Sequence, residues 1–171
     1  MKINLIYCLL AGSLIFSCKK DKGAGIDTSA IHIRDVNGNP LSGPNDNQWR
    51  PQSFSKNEIF LFESLDNVSL SGTTGIEPAL PIAAFPNPFN FHFLLFSEPI
   101  VNDNSAVVKW VLVNENMQKM LEGWQRVDKD QYIIRISSDG VPEGKHRLYI
   151  TYSAAGKPHY FTTWGNVQKG F

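Results

Sequence analysis

Apolar and polar positions repeat with the two-residue period of a β-strand in several separate stretches of this chain. Ile31-His32-Ile33-Arg34-Asp35-Val36 alternates and runs into Asn37-Gly38, a favoured pair for a tight hairpin turn. Ser42 to Asn57 is rich in turn residues and is predicted as a surface loop, whereas Ile59-Phe60-Leu61-Phe62 is a short apolar run predicted as a strand. Residues 64–84 carry little pattern and end in Pro78 and Pro81. The second half is cleaner. Phe89, Phe91, Phe93 and Leu95 alternate over 89–97, and Ala106 to Val113 forms a second strong strand. Trp124–Val127 and Gln131–Ile136 flank Asp128-Lys129-Asp130 and are predicted to pair as a hairpin. Lys145–Tyr152 and His159–Trp164, around Ala154 to Pro158, make another. Met117, Met120, Leu121 and Trp124 fit helical spacing, with Asn114 or Asn116 as a cap. About eight strands with almost no helix predict an all-β sandwich spanning residues 31–171 as a single domain.

The first eighteen residues follow a different pattern. Lys2 gives a positive start, Leu5 to Phe16 is an apolar run of twelve residues, and Ser17 precedes Cys18 and the polar Lys19-Lys20-Asp21-Lys22. Such a run is too short to cross the hydrocarbon core as a helix, which takes roughly 20 residues. It has the order of a secretory signal instead, predicted as residues 1–17. Lys19 to Ala30 is polar and without periodicity, so residues 18–30 are predicted as the start of the mature chain and a flexible tether.

Removing 17 of the 171 residues leaves 154, enough for one domain with a real core. The signal takes one of 16 basic residues and none of the 16 acidic ones, so the mature chain carries 15 and 16. That balance lacks the basic excess a nucleic-acid partner demands. Cys8 leaves with the signal. If Cys18 is modified, no thiol remains for a disulfide, a catalytic cysteine or a thiolate metal site.

Leu14-Ile15-Phe16-Ser17-Cys18 resembles the lipobox of bacterial lipoproteins, in the relaxed form of Bacteroidota lipoproteins. The resemblance implies that Cys18 is acylated with palmitate-type chains and anchors the protein to the membrane. Lys19, rather than aspartate, at the next position implies the outer membrane, on its periplasmic face or at the cell surface. Ala84-Phe85-Pro86-Asn87-Pro88-Phe89-Asn90 resembles the opening of Ig-like domains found in type IX secretion sorting domains and flagellar hook-capping proteins. It implies an Ig-like sandwich over 84–171. The sorting role is not implied, because Val167 to Phe171 lacks the lysine-rich, β-branched final strand. Ile33 to Gly43 is similar to the first hairpin of carboxypeptidase-regulatory-like β-domains.

Candidate chemistry is sparse. Asp35-x-Asn37-x-Asn39 opens like a calcium loop, but Pro40 and Asp46 stand where that loop needs Gly and Glu, so a hairpin turn is expected. His32, His92, His146 and His159 show no metal-ligand spacing. Ser53-Phe54-Ser55-Lys56 has nothing else of the serine acylation motif set, and Asp128 and Asp130 sit in a turn. Gly72-Thr73-Thr74-Gly75 has no phosphate-loop lysine. No catalytic residue, metal site or cofactor is therefore predicted. The expected role is a non-catalytic binding or assembly module of the cell envelope with a protein partner. The alternative is a glycan-binding surface lipoprotein in which Trp49 and Trp164 stack on sugar rings, with Trp110 in the core.

Overall fold

The computed structural model describes residues 25–76, 78–98, 104–128 and 133–171. The signal segment, Cys18 and Asp130 lie outside the described residues. The strands are β1 (Ile33–Arg34), β2 (Pro40–Ser42), β3 (Ala79–Phe85), β4 (His92–Glu98), β5 (Ala106–Val113), β6 (Lys119–Val127), β7 (Ile133–Ser137), β8 (Gly144–Ala154) and β9 (Lys157–Lys169). One short helix, α1 (Lys56–Phe60), precedes β3. β1 and β2 form a hairpin; the others build two antiparallel sheets in the orders β3-β4-β7 and β6-β5-β8-β9. The chain is an all-β sandwich, as its alternation predicts.

Between the sheets lies one core. Ile82 and Ala84 of β3, Phe93 and Leu95 of β4 and Ile134 and Ile136 of β7 meet Val108, Trp110, Leu112, Leu148, Ile150 and Val167. β7 alternates exposed and buried, the signature of a sheet with one wet face. β5 does not: all of its residues are buried. Its second face is covered by a further layer, in which Leu61, Phe62 and Leu65 pack on Val111, Val113 and Tyr149. A five-residue helix is far below the length at which helices hold alone, so α1 depends on this packing. Burying Phe62 and its neighbours gives roughly 1.5–3 kcal/mol per side chain, enough to offset the ordering of the segment that carries them.

Several expectations are corrected. Ile59–Phe62 is not a strand. Ser55 Oγ accepts the Glu58 amide, and the Glu58 carboxylate accepts the Ser55 amide, so a capping box starts a helix there. Met117 to Trp124 is not a helix either. Asn114 Oδ1 accepts the Asn116 and Gln118 amides in a tight turn, and Lys119 onward joins the β5 ladder. Trp124–Val127 does not pair with the following strand: β6 bonds β5 in one sheet while β7 bonds β4 in the other. The weakly patterned 64–84 region contains β3. Finally, residues 25–30 are not free tether. Ile26 donates to the Glu115 carbonyl, the Asp27 carbonyl accepts from Arg147, and Thr28 is buried.

The Phe85–Phe89 motif bridges the sheets. Asn87 is fully buried; its amide nitrogen donates to the His32 and Asn166 carbonyls, and its Oδ1 accepts the Gln168 amide. Its backbone exchanges two bonds with Arg34, and Phe89 pairs with the end of β9. One asparagine thus ties the first hairpin to the last strand.

Candidate functional site

The two outer edges of the four-stranded sheet differ, and the sequence-predicted tryptophans explain how. At the β9 edge, residues 48–52 run alongside the strand. The Trp49 amide donates to the Trp164 carbonyl (2.7 Å) and the Gln52 amide to the Thr162 carbonyl (2.9 Å). Thr163 Oγ1 donates to the Arg50 carbonyl, and the Asn166 amide to Gln48 Oε1. Trp49 holds φ at 62°, a strained value for an L residue. Its indole fixes it there, lying over Gly165 so closely that a Cβ would come within 1.9 Å of the ring.

Trp49 is therefore core, 6% exposed, and not a ring face for a sugar. Trp164 is half-buried beneath the Arg147 guanidinium, 3.8 Å from its ring centre, and packs with the second layer. The expected platform of Trp49 and Trp164 does not exist, because each indole has a protein partner on its face. Trp110 is core, as expected.

The exposed indole is Trp124, at 50%. It stands in the middle of β6, the opposite edge, where Gly123 lets Trp110 lie flat; a Cβ there would meet that ring at 2.6 Å. Among the described residues no backbone group pairs with β6 on the side away from β5. Among the described residues side chains secure this flank: Ser64 and Lys119 bond the Glu122 carboxylate, and Arg126 bonds the Ser71 and Gly72 carbonyls. Those partners hold the Glu122 carboxyl below its usual range against the desolvation that would raise it.

Register places Trp124 beside Lys109, and Lys109 beside Thr151, on the outer face. Lys109 is 3% exposed, and its ammonium lies 3.6 Å from the exposed Asp66 carboxylate. The same carboxylate is 3.6 Å from His159 Nε2, while His159 Nδ1 is 3.2 Å from Thr151 Oγ1. Burial lowers the His159 pKa and Lys109 pushes it further down, against the pull of Asp66. The imidazole lines an open groove of about 440 Å³ with Phe54, Ile59 and Thr162. The row presents an exposed ring face beside a buried cation and hydrogen-bonding groups; Thr151 Oγ1 is the hydroxyl next to the imidazole, while Ser153 Oγ accepts the His159 backbone amide.

The remaining candidates are structural. Asp35 Oδ1 accepts the Asn37 and Asn39 amides within the first hairpin, and the Asn39 side chain heads the contacts lowering its pKa. His32 bonds Asp46, His92 lies beside Arg135, and buried His146 meets the Pro142 carbonyl. Among the described residues no three His, Cys, Asp or Glu side chains converge as a metal site. Thr73 and Thr74 of the Gly72–Gly75 run bond Leu70, Ala155 and Asn104, bracing a turn. Ser53 lies in the groove wall, and Asp128 is exposed beyond β6. No family model, curated protein or solved structure matches the chain.

Proposed function

We propose that this chain is an exported lipoprotein, anchored through Cys18 to the outer membrane, that serves the cell envelope as a non-catalytic binding or assembly module. Its β6 edge takes an extended segment of a protein partner. The carrying observation is the nine-residue β6, centred on exposed Trp124, whose outer edge meets no backbone partner among the described residues, in a sheet whose other edge is closed by residues 48–52. Strands of about five or six residues are commonest, so β6 offers an unusually long ladder. Strand addition supplies main-chain bonds along such an edge, and an exposed ring adds a side-chain anchor. The seven sandwich strands, split three and four, support the Ig-like relationship implied by Phe85–Phe89.

Two experiments test the parts. Metabolic labelling with a fatty-acid analogue should mark the wild-type chain, and Cys18→Ala should lose both the label and membrane fractionation; retained label sinks the anchor. A photo-crosslinking residue at Trp124, read in intact cells, should capture a stoichiometric envelope protein that Thr162 does not. Equal capture at both edges, or none, contradicts the docking edge.

A further inference from the structure

We propose that the end of the sandwich where β3, β5, β7 and β9 finish is a membrane-contact surface that sits on a lipid headgroup layer. This rests on the reading that Cys18 carries the anchor, and it adds which way the domain stands on it. Strand pairing places that end: Phe85 of β3 lies opposite Leu94 of β4, Val113 of β5 opposite Lys119 of β6 and Arg147 of β8, and Gly144 opposite Lys169.

The exposed apolar side chains gather there. Of seven large ones exposed among the described residues, Val36, Leu41, Phe60, Phe91 and Phe171 lie at or beside this end, leaving Trp124 in mid-β6 and Ile133 at the far start of β7. Phe91 is 80% exposed, two residues after Phe89, whose carbonyl accepts the Gly170 amide just before Phe171. The first hairpin, carrying Val36 and Leu41, is held against the same end by the Arg34–Asn87 pair and by Gly38 beside the Phe85 ring. Phe60 shares a depression with Met117 and Lys119, at the turn into β6. At the other end, the described turns present Thr74, Asn104, Asp128 and Lys157 instead.

Clustered exposed apolar groups mark interaction surfaces, and chain geometry selects lipid as the occupant. The described chain begins at Gly25, against the Glu115 carbonyl in the β5–β6 turn, at this same end. From Cys18 to Gly25 there are seven residue steps, a reach of at most about 25 Å even when fully extended. β9, with thirteen residues, places the opposite end roughly 40 Å further away. An acyl chain at Cys18 therefore keeps the phenylalanine-bearing end nearest the bilayer. Phe91 and Phe171 would enter the headgroup–acyl boundary, where phenylalanine and leucine form the buried face of interfacial segments. Asp139 and Glu143 share the end with Lys145 and Lys169, so a mixed charge suits a largely zwitterionic layer.

Acylation consumes the one thiol of the mature chain, so a single introduced cysteine can be labelled in the full lipidated protein. Phe91→Cys, Val36→Cys and, at the far end, Lys157→Cys would each carry an environment-sensitive fluorophore. The protein would be reconstituted in vesicles of phosphatidylethanolamine and phosphatidylglycerol containing a doxyl-labelled lipid. Quenching at 91 and 36 should exceed that at 157 several-fold. Equal quenching at all three positions, with intact mass showing acylated Cys18, overturns the contact surface and leaves the anchor standing. An unacylated Cys18 with no flotation on vesicles overturns both.

Discussion

The β6 and β9 edges of one sheet solve the same packing problem in two ways. Each strand carries a glycine covered by a tryptophan ring, Gly123 by Trp110 and Gly165 by Trp49. At β6 the ring comes from the neighbouring strand, inside the sheet, and no described backbone group pairs with the strand beyond. At β9 the ring arrives on a separate segment whose backbone bonds the strand as it passes. An unpaired edge invites pairing with another chain, and natural sheets usually blunt it. Here one edge is sealed by the chain's own residues 48–52, and the other is left with Glu122 and Arg126 tied back and Trp124 outward.

The largest expected effect is at the sealed edge. Trp49→Ala should cost about 3–5 kcal/mol in urea unfolding, as for other buried tryptophans, and should expose the amides that 48–52 covers. Asn87→Ala should cost about 3 kcal/mol, since it strands the Gln168 amide and two buried carbonyls. Gly165→Ala and Gly123→Ala separate the edges directly. Overpacking costs about 1–3 kcal/mol, and Gly165 should fall at the upper end because its Cβ meets a ring fixed on both sides. Gly123 should fall at the lower end, with an open strand free to shift. Equal losses would mean that the two edges are equally confined.

The smallest effect is in pH dependence. Burial lowers the pKa of His146 in the core and of His159 on the outer face. Each therefore favours the folded state above its unfolded pKa of about 6.5, and that contribution is lost as pH falls through the lower folded value. Urea midpoints should decline from pH 7 toward pH 5, and His146→Phe should flatten the decline. A midpoint that rises on acidification would reverse the assigned sign.

What could be read from sequence was local. β5 follows from its apolar run, and the β8–β9 hairpin and the first hairpin from alternation and turn chemistry within a few residues. The helix at Lys56 was legible too, in Ser55-x-x-Glu58, but the apolar Ile59–Phe62 run competes with that signal. β6 was masked by Met117, Met120, Leu121 and Trp124, whose spacing fits a helix until Asn114 closes the turn that precludes one. The fate of the tryptophans was not local at all. Trp49 is buried because Gly165, in the last strand, leaves room for its ring, and Trp124 is exposed because nothing among the described residues crosses it. A single sequence holds no signal that pairs those positions.

The most direct test of the central claim compares amide exchange in the purified chain with exchange in native outer membranes. The account predicts slowing at residues 119–127 when the envelope partner is present, and no change at 162–168, which residues 48–52 already cover. Slowing at the β9 edge, or none at β6, would contradict it.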